Sequence, residues 1–145
     1  MKKILVLHGV NLNMFGRRDS KHYGTWTLTE IDQALVELGA VLGVHVETFQ
    51  TNREGEMVER IHAALDDGTN AIVINAGAWT HYSYALRDAL EMLSIPIVEV
   101  HMSHIDAREP FRRQSVLAPV VSGLISGFGV QSYLLGLRAA VSLLV

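Results

Sequence analysis

The stretch AIVINAGAWTHYSYALRDALEML, residues 71–93, decides the fold. It opens with Ala71 to Ile74, a run of the length and apolarity of a strand covered on both faces. A turn with Asn75 and Gly77 follows, and then Leu86, Ala89, Leu90 and Leu93 recur at steps of three and four, the period of one helix face. Buried strand, turn and amphipathic helix make a βα unit, and the rest of the chain repeats it. Outward from this unit, strands are predicted over Ile4–Leu7 and Val44–Phe49 before it, and over Ile95–Val100 and Val120–Ile125 after it. Leu28, Ile31, Leu35, Leu38 and Leu42 mark a helix between the first two strands, with Thr27 and Glu30 spaced as a capping box. Met57, Ile61 and Leu65 mark another helix, and residues from Tyr133 onward supply the last.

Alternating elements of this kind predict an α/β fold of flavodoxin-like type, a doubly wound five-stranded parallel sheet in a single domain over residues 1–145. A length of 145 residues, 49% of them hydrophobic, suits one such core, and the mean hydropathy of +0.23 excludes a disordered chain. A net charge of −3 lacks the basic excess of a nucleic-acid binder, so no nucleic-acid partner is expected. With no cysteine there are no disulfides, thiolate nucleophiles or cysteine-ligated metals, which fits a reducing, cytoplasmic compartment. Two stretches resemble membrane signals only superficially. The run Ile4 to Leu7 meets His8 too soon for a signal-peptide core, and the uncharged span from Gln114 to Leu137 is interrupted by Pro119, Gly123, Gly127 and Gly129. No membrane partner is expected.

In doubly wound sheets ligands bind beyond the carboxyl ends of the strands, which directs attention to His8 and Asn11, Asn75, and His101 and Ser103. The connection from Gly9 to Trp26 is long enough for a lid and carries Arg17, Arg18 and Tyr23. A guanidinium near a tyrosine stabilises phenolate over phenol, so this loop offers a base, with either arginine available. Glu99 and His101 are two residues apart on the fourth strand and therefore leave the same face. A carboxylate there can hold the imidazole and fix its tautomer, as a proton donor requires, and a Glu in an apolar strand is costly unless paired. Arg108, Arg112 and Arg113 suit a substrate bearing a carboxylate or several hydroxyls. His101 and His104 have a spacing that metals use, but no wider constellation supports a metal site, and none is expected. The Gly127-Phe128-Gly129 turn lacks the spacing of a phosphate loop.

Taken in order, HGVNLNMFGRRDSKHYG (8–24), QTNREGEMVERI (50–61), NAGAWTHYSYALRDAL (75–90), PIVEVHMSHIDAREPFRRQS (96–115) and SGLISGFGVQSYLLGLR (122–138) resemble the type II 3-dehydroquinate dehydratase family over essentially the whole chain. The resemblance implies a flavodoxin-like fold and a hydro-lyase without cofactor, converting 3-dehydroquinate to 3-dehydroshikimate through an enolate. That step belongs to the shikimate route to aromatic amino acids or to quinate catabolism. It implies Tyr23 as the base acting at C2, Arg18, five residues before it, as its activating arginine, His101 as the acid for the C1 hydroxyl with Glu99 behind it, and Asn11 as holder of an enolate-stabilising water. Asn75, His81, Ser103 and Arg112 match substrate-binding positions, with the backbone N–H groups of Met102 and Ser103 cradling the substrate carboxylate. Asp88 matches a residue that reaches a neighbouring subunit's site, so a homo-oligomer is implied, a dodecamer built of trimers.

The chain departs from the family pattern at Val10 and Ser20, which stand where Pro is usual, at His104 in place of Asn, and at the bulky Tyr82 and Tyr84. Two other readings compete. One is a family member that has lost catalysis, which the presence of Tyr23, Arg18 and His101 opposes. The other is a flavin-binding or phosphoryl-accepting module, although a phosphoryl acceptor needs an Asp where the third strand ends in Asn75.

Overall fold

The structure is a computed structural model that describes residues 1–144. Five strands, β1 (Lys3–His8), β2 (His45–Gln50), β3 (Thr69–Asn75), β4 (Ile97–His101) and β5 (Gly123–Ser126), form one all-parallel sheet in the order β2-β1-β3-β4-β5. The chain leaves β1 toward one edge and returns past it to β3, so the order reverses beside β1, where such folds open a ligand crevice.

The helices are α1 (Ser20–Tyr23), α2 (Leu28–Leu42), α3 (Glu54–Ala63), α4 (Tyr84–Glu91) and α5 (Val130–Ser142). Side-chain alternation sorts them onto two faces. Ile4, Val6, Val73, Val98 and Val100 pack with α2 and α5, while Leu5, Leu7, Ile72, Ile74 and Ile97 pack with α3 and α4. Both sides of β1, β3 and β4 are thereby dry, which explains the apolar runs of β1 and β3 and the near-complete one of β4, broken only by Glu99 before His101. At the start of α2, the Glu30 amide donates to Thr27 Oγ1 while Glu30 Oε1 accepts from the Thr27 amide, the capping box predicted from the two residues.

The strands differ from the predicted bounds where proline intervenes. The fourth begins at Ile97 rather than Ile95, because Pro96 has no N–H to give, although its carbonyl accepts from Ile72 at 2.9 Å. The fifth begins at Gly123 rather than Val120, since Pro119 sits in a 3-10 turn over Ala118–Val120. The last helix starts at Val130, a turn before Tyr133. Among the described residues no helix is long and apolar enough to cross a membrane.

Candidate active site

The carboxyl ends of β1 and β3 approach closely because two glycines permit it. A Cβ on Gly9 would lie 2.2 Å from the Ala76 carbonyl oxygen, and Gly77, at φ +62°, would place one 2.8 Å from the Val10 oxygen. Gly9 N–H donates to the Asn75 carbonyl at 2.7 Å. Asn11 then takes a left-handed conformation (φ 68°), which asparagine tolerates, and its N–H donates to Asn52 Oδ1.

The connection from Gly9 to Trp26 folds down over this edge as a 3-10 turn (Leu12–Met14) and α1. Asp19 caps α1 by accepting from the Lys21 amide, and Ser20 is its first residue. That is a position where proline fits equally well, so the departure from the family pattern leaves the helix intact. Tyr23 closes α1, buried against Phe15 with ring centroids 5.8 Å apart. Its phenol oxygen accepts from Arg18 Nη2 at 2.8 Å and from Arg108 Nη1 at 2.6 Å, while the Arg18 guanidinium also lies 3.9 Å from the ring centroid. Arg17 is exposed. Two cationic donors therefore converge on one phenol oxygen.

Across the cavity, β4 supplies a carboxylate–imidazole pair. Glu99 is completely buried, and its Oε2 lies 2.6 Å from His101 Nε2. Its Oε1 accepts from Ser115 Oγ at 2.9 Å, and Ser115 Oγ in turn accepts from the Leu117 and Ala118 amides. Both carboxylate oxygens are therefore partnered, as a buried charge demands. His101 gives Nε2 to Glu99 and keeps Nδ1 for a ligand in the cavity that it lines.

His81 stacks on His101 with centroids 6.4 Å apart. Burial pushes its pKa below the ordinary range, and the positive groups His101 and Arg112 add to this against the opposing Gln114 carbonyl. Neutral His81 donates Nδ1–H to that carbonyl at 2.8 Å, so Nε2 remains an acceptor suited to a hydroxyl. Arg112, held by Glu109 Oε1 at 3.2 Å, borders the same space.

The cavity has a volume of about 120 Å³. Of the residues singled out from the sequence, Asn11, Arg18, Tyr23, Asn75, His81, His101, Met102, Ser103 and Arg112 line it, and Glu99 stands directly behind His101. Asp88 does not line it. That residue is exposed on α4. In the sequence Arg108 is only one of several arginines that suit a substrate bearing a carboxylate or several hydroxyls. In the fold it is the second partner of Tyr23, and its Nη1 also reaches Ser103 Oγ at 3.2 Å. Its link to Tyr23 spans 85 residues, so no local spacing reveals it. Ser115 likewise follows β4 with no local signal of its contact to Glu99. Among the described residues no three His, Cys, Asp or Glu side chains gather as a metal site would need.

A phenol held by guanidiniums and a carboxylate-backed imidazole, facing one polar cavity at the switch point of a doubly wound sheet, define an acid–base enzyme for a small polar substrate. The comparisons give the family. A family model described as Dehydroquinase class II matches residues 2–141, and the chain belongs to that family. It is 66% identical to the 3-dehydroquinate dehydratase of Leptothrix cholodnii over 97% of this chain and 94% of that protein. It is 64% identical to the enzyme of the same name from Syntrophotalea carbinolica, over 99% and 97%. The crystal structure of type II dehydroquinase from Propionibacterium acnes superposes with a TM-score of 0.94 at 46% identity, covering 98% of this chain and 97% of that one.

Proposed function

We propose that this chain dehydrates 3-dehydroquinate to 3-dehydroshikimate, with Tyr23 as base and His101 as acid. Tyr23 phenolate takes the proton from C2, and the C–H electron pair passes into the adjacent ketone as an enolate. Asn11 holds the water that stabilises the enolate oxygen. The enolate then collapses to the conjugated enone as the C1–O bond breaks, and His101 protonates the departing hydroxyl so that it leaves as water. Arg18 and Arg108 hold the Tyr23 oxygen in place, and Glu99 orients the His101 imidazole. Asn75, His81, Arg112 and the amides of Met102 and Ser103 bind the ring substituents.

The observation that carries this reading is the convergence of two guanidiniums on the Tyr23 oxygen opposite the Glu99–His101 pair. Adding 3-dehydroquinate to the purified protein should produce the ultraviolet absorbance of the conjugated product. No absorbance change would refute the reading. The same step serves aromatic biosynthesis or quinate breakdown in the cytoplasm.

The active form is a homo-oligomer, a dodecamer of trimers in which Asp88 reaches a neighbour's cavity. This is supported by the position of Asp88, exposed and away from its own cavity, and by Tyr82 and Tyr84, which lie 57% and 64% exposed beside it. Light scattering coupled to size exclusion tests it, and a fully active monomer would overturn the shared site.

A further inference from the structure

Below the cavity lies a buried polar chain that the proposed chemistry leaves unused. His8, at the end of β1, and Tyr133, on α5, are both fully buried. The His8 Nδ1 atom is 2.8 Å from Tyr133 Oη, and its Nε2 is 2.7 Å from Oδ1 of Asp32, whose side chain on α2 is partly exposed. Asn75 Nδ2 donates to Tyr133 Oη at 3.0 Å, and Asn75 Oδ1 accepts from the Gly77 amide at 3.1 Å.

The directions of these bonds follow from one end. Gly77 N–H can only donate, so the Asn75 oxygen must face it and the Asn75 nitrogen must face Tyr133. Tyr133 Oη, receiving that N–H, has its own hydrogen free to donate to His8 Nδ1. The imidazole is then an acceptor at Nδ1 and a donor at Nε2, whose N–H is accepted by Asp32 Oδ1. Tyr133 stays a phenol throughout, because burial raises its pKa far more than the Asn75 N–H lowers it, and the Asp32 charge adds a lesser rise. Its partners differ from those of Tyr23, whose oxygen receives two cationic donors.

We infer that Tyr133, held by His8 and Asp32, is a positioning residue that clamps the Asn75 amide in a single orientation, with its one remaining N–H reserved for a substrate oxygen in the cavity. The amide has two N–H bonds and one oxygen, and the protein uses one of each. Without Tyr133 Oη only the Gly77 bond would restrain it, and the nitrogen would swing between partners. The inference rests on the proposed dehydratase reading, because Asn75 counts only if it binds this substrate.

Kinetics of Tyr133→Phe, His8→Asn, His8→Leu, Asn75→Ala and the Asn75→Ala/Tyr133→Phe pair test it. An Asn75 contact made in ground and transition states alike acts on KM, so Tyr133→Phe should raise KM about tenfold and lower kcat less than about threefold. His8→Asn, whose amide oxygen replaces Nδ1 as acceptor, should stay within about threefold of the parent, whereas His8→Leu should reproduce the Tyr133→Phe rise. With Asn75 already removed, Tyr133→Phe should add less than about twofold. An unchanged KM in folded Tyr133→Phe, or its full effect in the Asn75→Ala background, overturns the proposal. If Tyr133→Phe does not fold, the two His8 variants decide, and equal KM values for them overturn it. A parent protein with no turnover at all overturns the dehydratase reading and this inference with it.

Discussion

The two sides of the cavity are built in different ways. The side proposed as acid stands on β4, where Glu99 and His101 are fixed by the sheet ladder and the carboxylate is partnered at both oxygens by His101 and Ser115. The side proposed as base hangs from a connection containing only a 3-10 turn and a four-residue helix, and the Tyr23 oxygen is held there by arginines 5 and 85 residues distant. The geometry of the strand side is fixed by the sheet ladder and by the partners of Glu99. The lid side depends on few anchors, Phe15 and the two guanidiniums. Substitutions should therefore separate: rate without stability on the lid, rate together with stability on the strand.

The sharpest break of this contrast is Tyr23→Phe. It removes one oxygen and almost no volume, so kcat should fall by about a thousandfold or more while the thermal midpoint holds. Activity within tenfold of the parent would show that the base lies elsewhere. Next, Arg18→Ala and Arg108→Ala should each lower kcat by roughly a hundredfold, the scale of losing one donor to a charged oxygen, whereas exposed Arg17→Ala should stay within about twofold. If Arg108→Ala is mild, a single guanidinium suffices and the pairing seen on Tyr23 is incidental.

On the strand side, Ser115→Ala should do what no lid substitution does. It leaves Oε1 of fully buried Glu99 without its donor and frees the amides of Leu117 and Ala118. A loss of about 1–3 kcal/mol of stability is expected, with only a several-fold fall in kcat because Oε2 still holds His101. Chemical denaturation and steady-state kinetics on the same preparation measure both. Unaltered stability would mean that water replaces the hydroxyl and that the acid side is less rigid than its bonds suggest.

How much of this was legible in the sequence follows the same division. The strands were legible because a sheet covered on both faces needs apolar runs such as Ile4–Leu7 and Ala71–Ile74, and the Glu99–His101 pair because a strand repeats every two residues. Prolines blurred the boundaries, at Pro96 and Pro119, by removing a donor that the ladder needs. Arg18 and Tyr23 were nameable as neighbours in one loop and as matches to a family. Arg108 was not assignable to Tyr23, and His8 was not assignable to Tyr133, because contacts across 85 and 125 residues depend on how the loops close and leave no periodic trace.

The smallest effect concerns His81, which stacks on the acid side but sits on a turn rather than a strand. Burial first, then the positive groups His101 and Arg112, hold its pKa below the ordinary 6.5. Between that lowered value and 6.5 the unfolded chain carries the proton and the folded chain does not, so stability rises with pH across this window. Its effect is therefore absent above about pH 6.5, and stability is lost as the pH falls below it. Urea midpoints at about pH 7.5 and pH 5.5 should thus differ more in the parent than in His81→Asn, since the variant's loss of the Gln114 bond affects both pH values and cancels in the difference. An equal drop in the two proteins would show that the folded and unfolded states protonate His81 alike. The turn carrying His81 would then be as open to solvent as the lid, and the rigid half of the cavity would end at β4 itself.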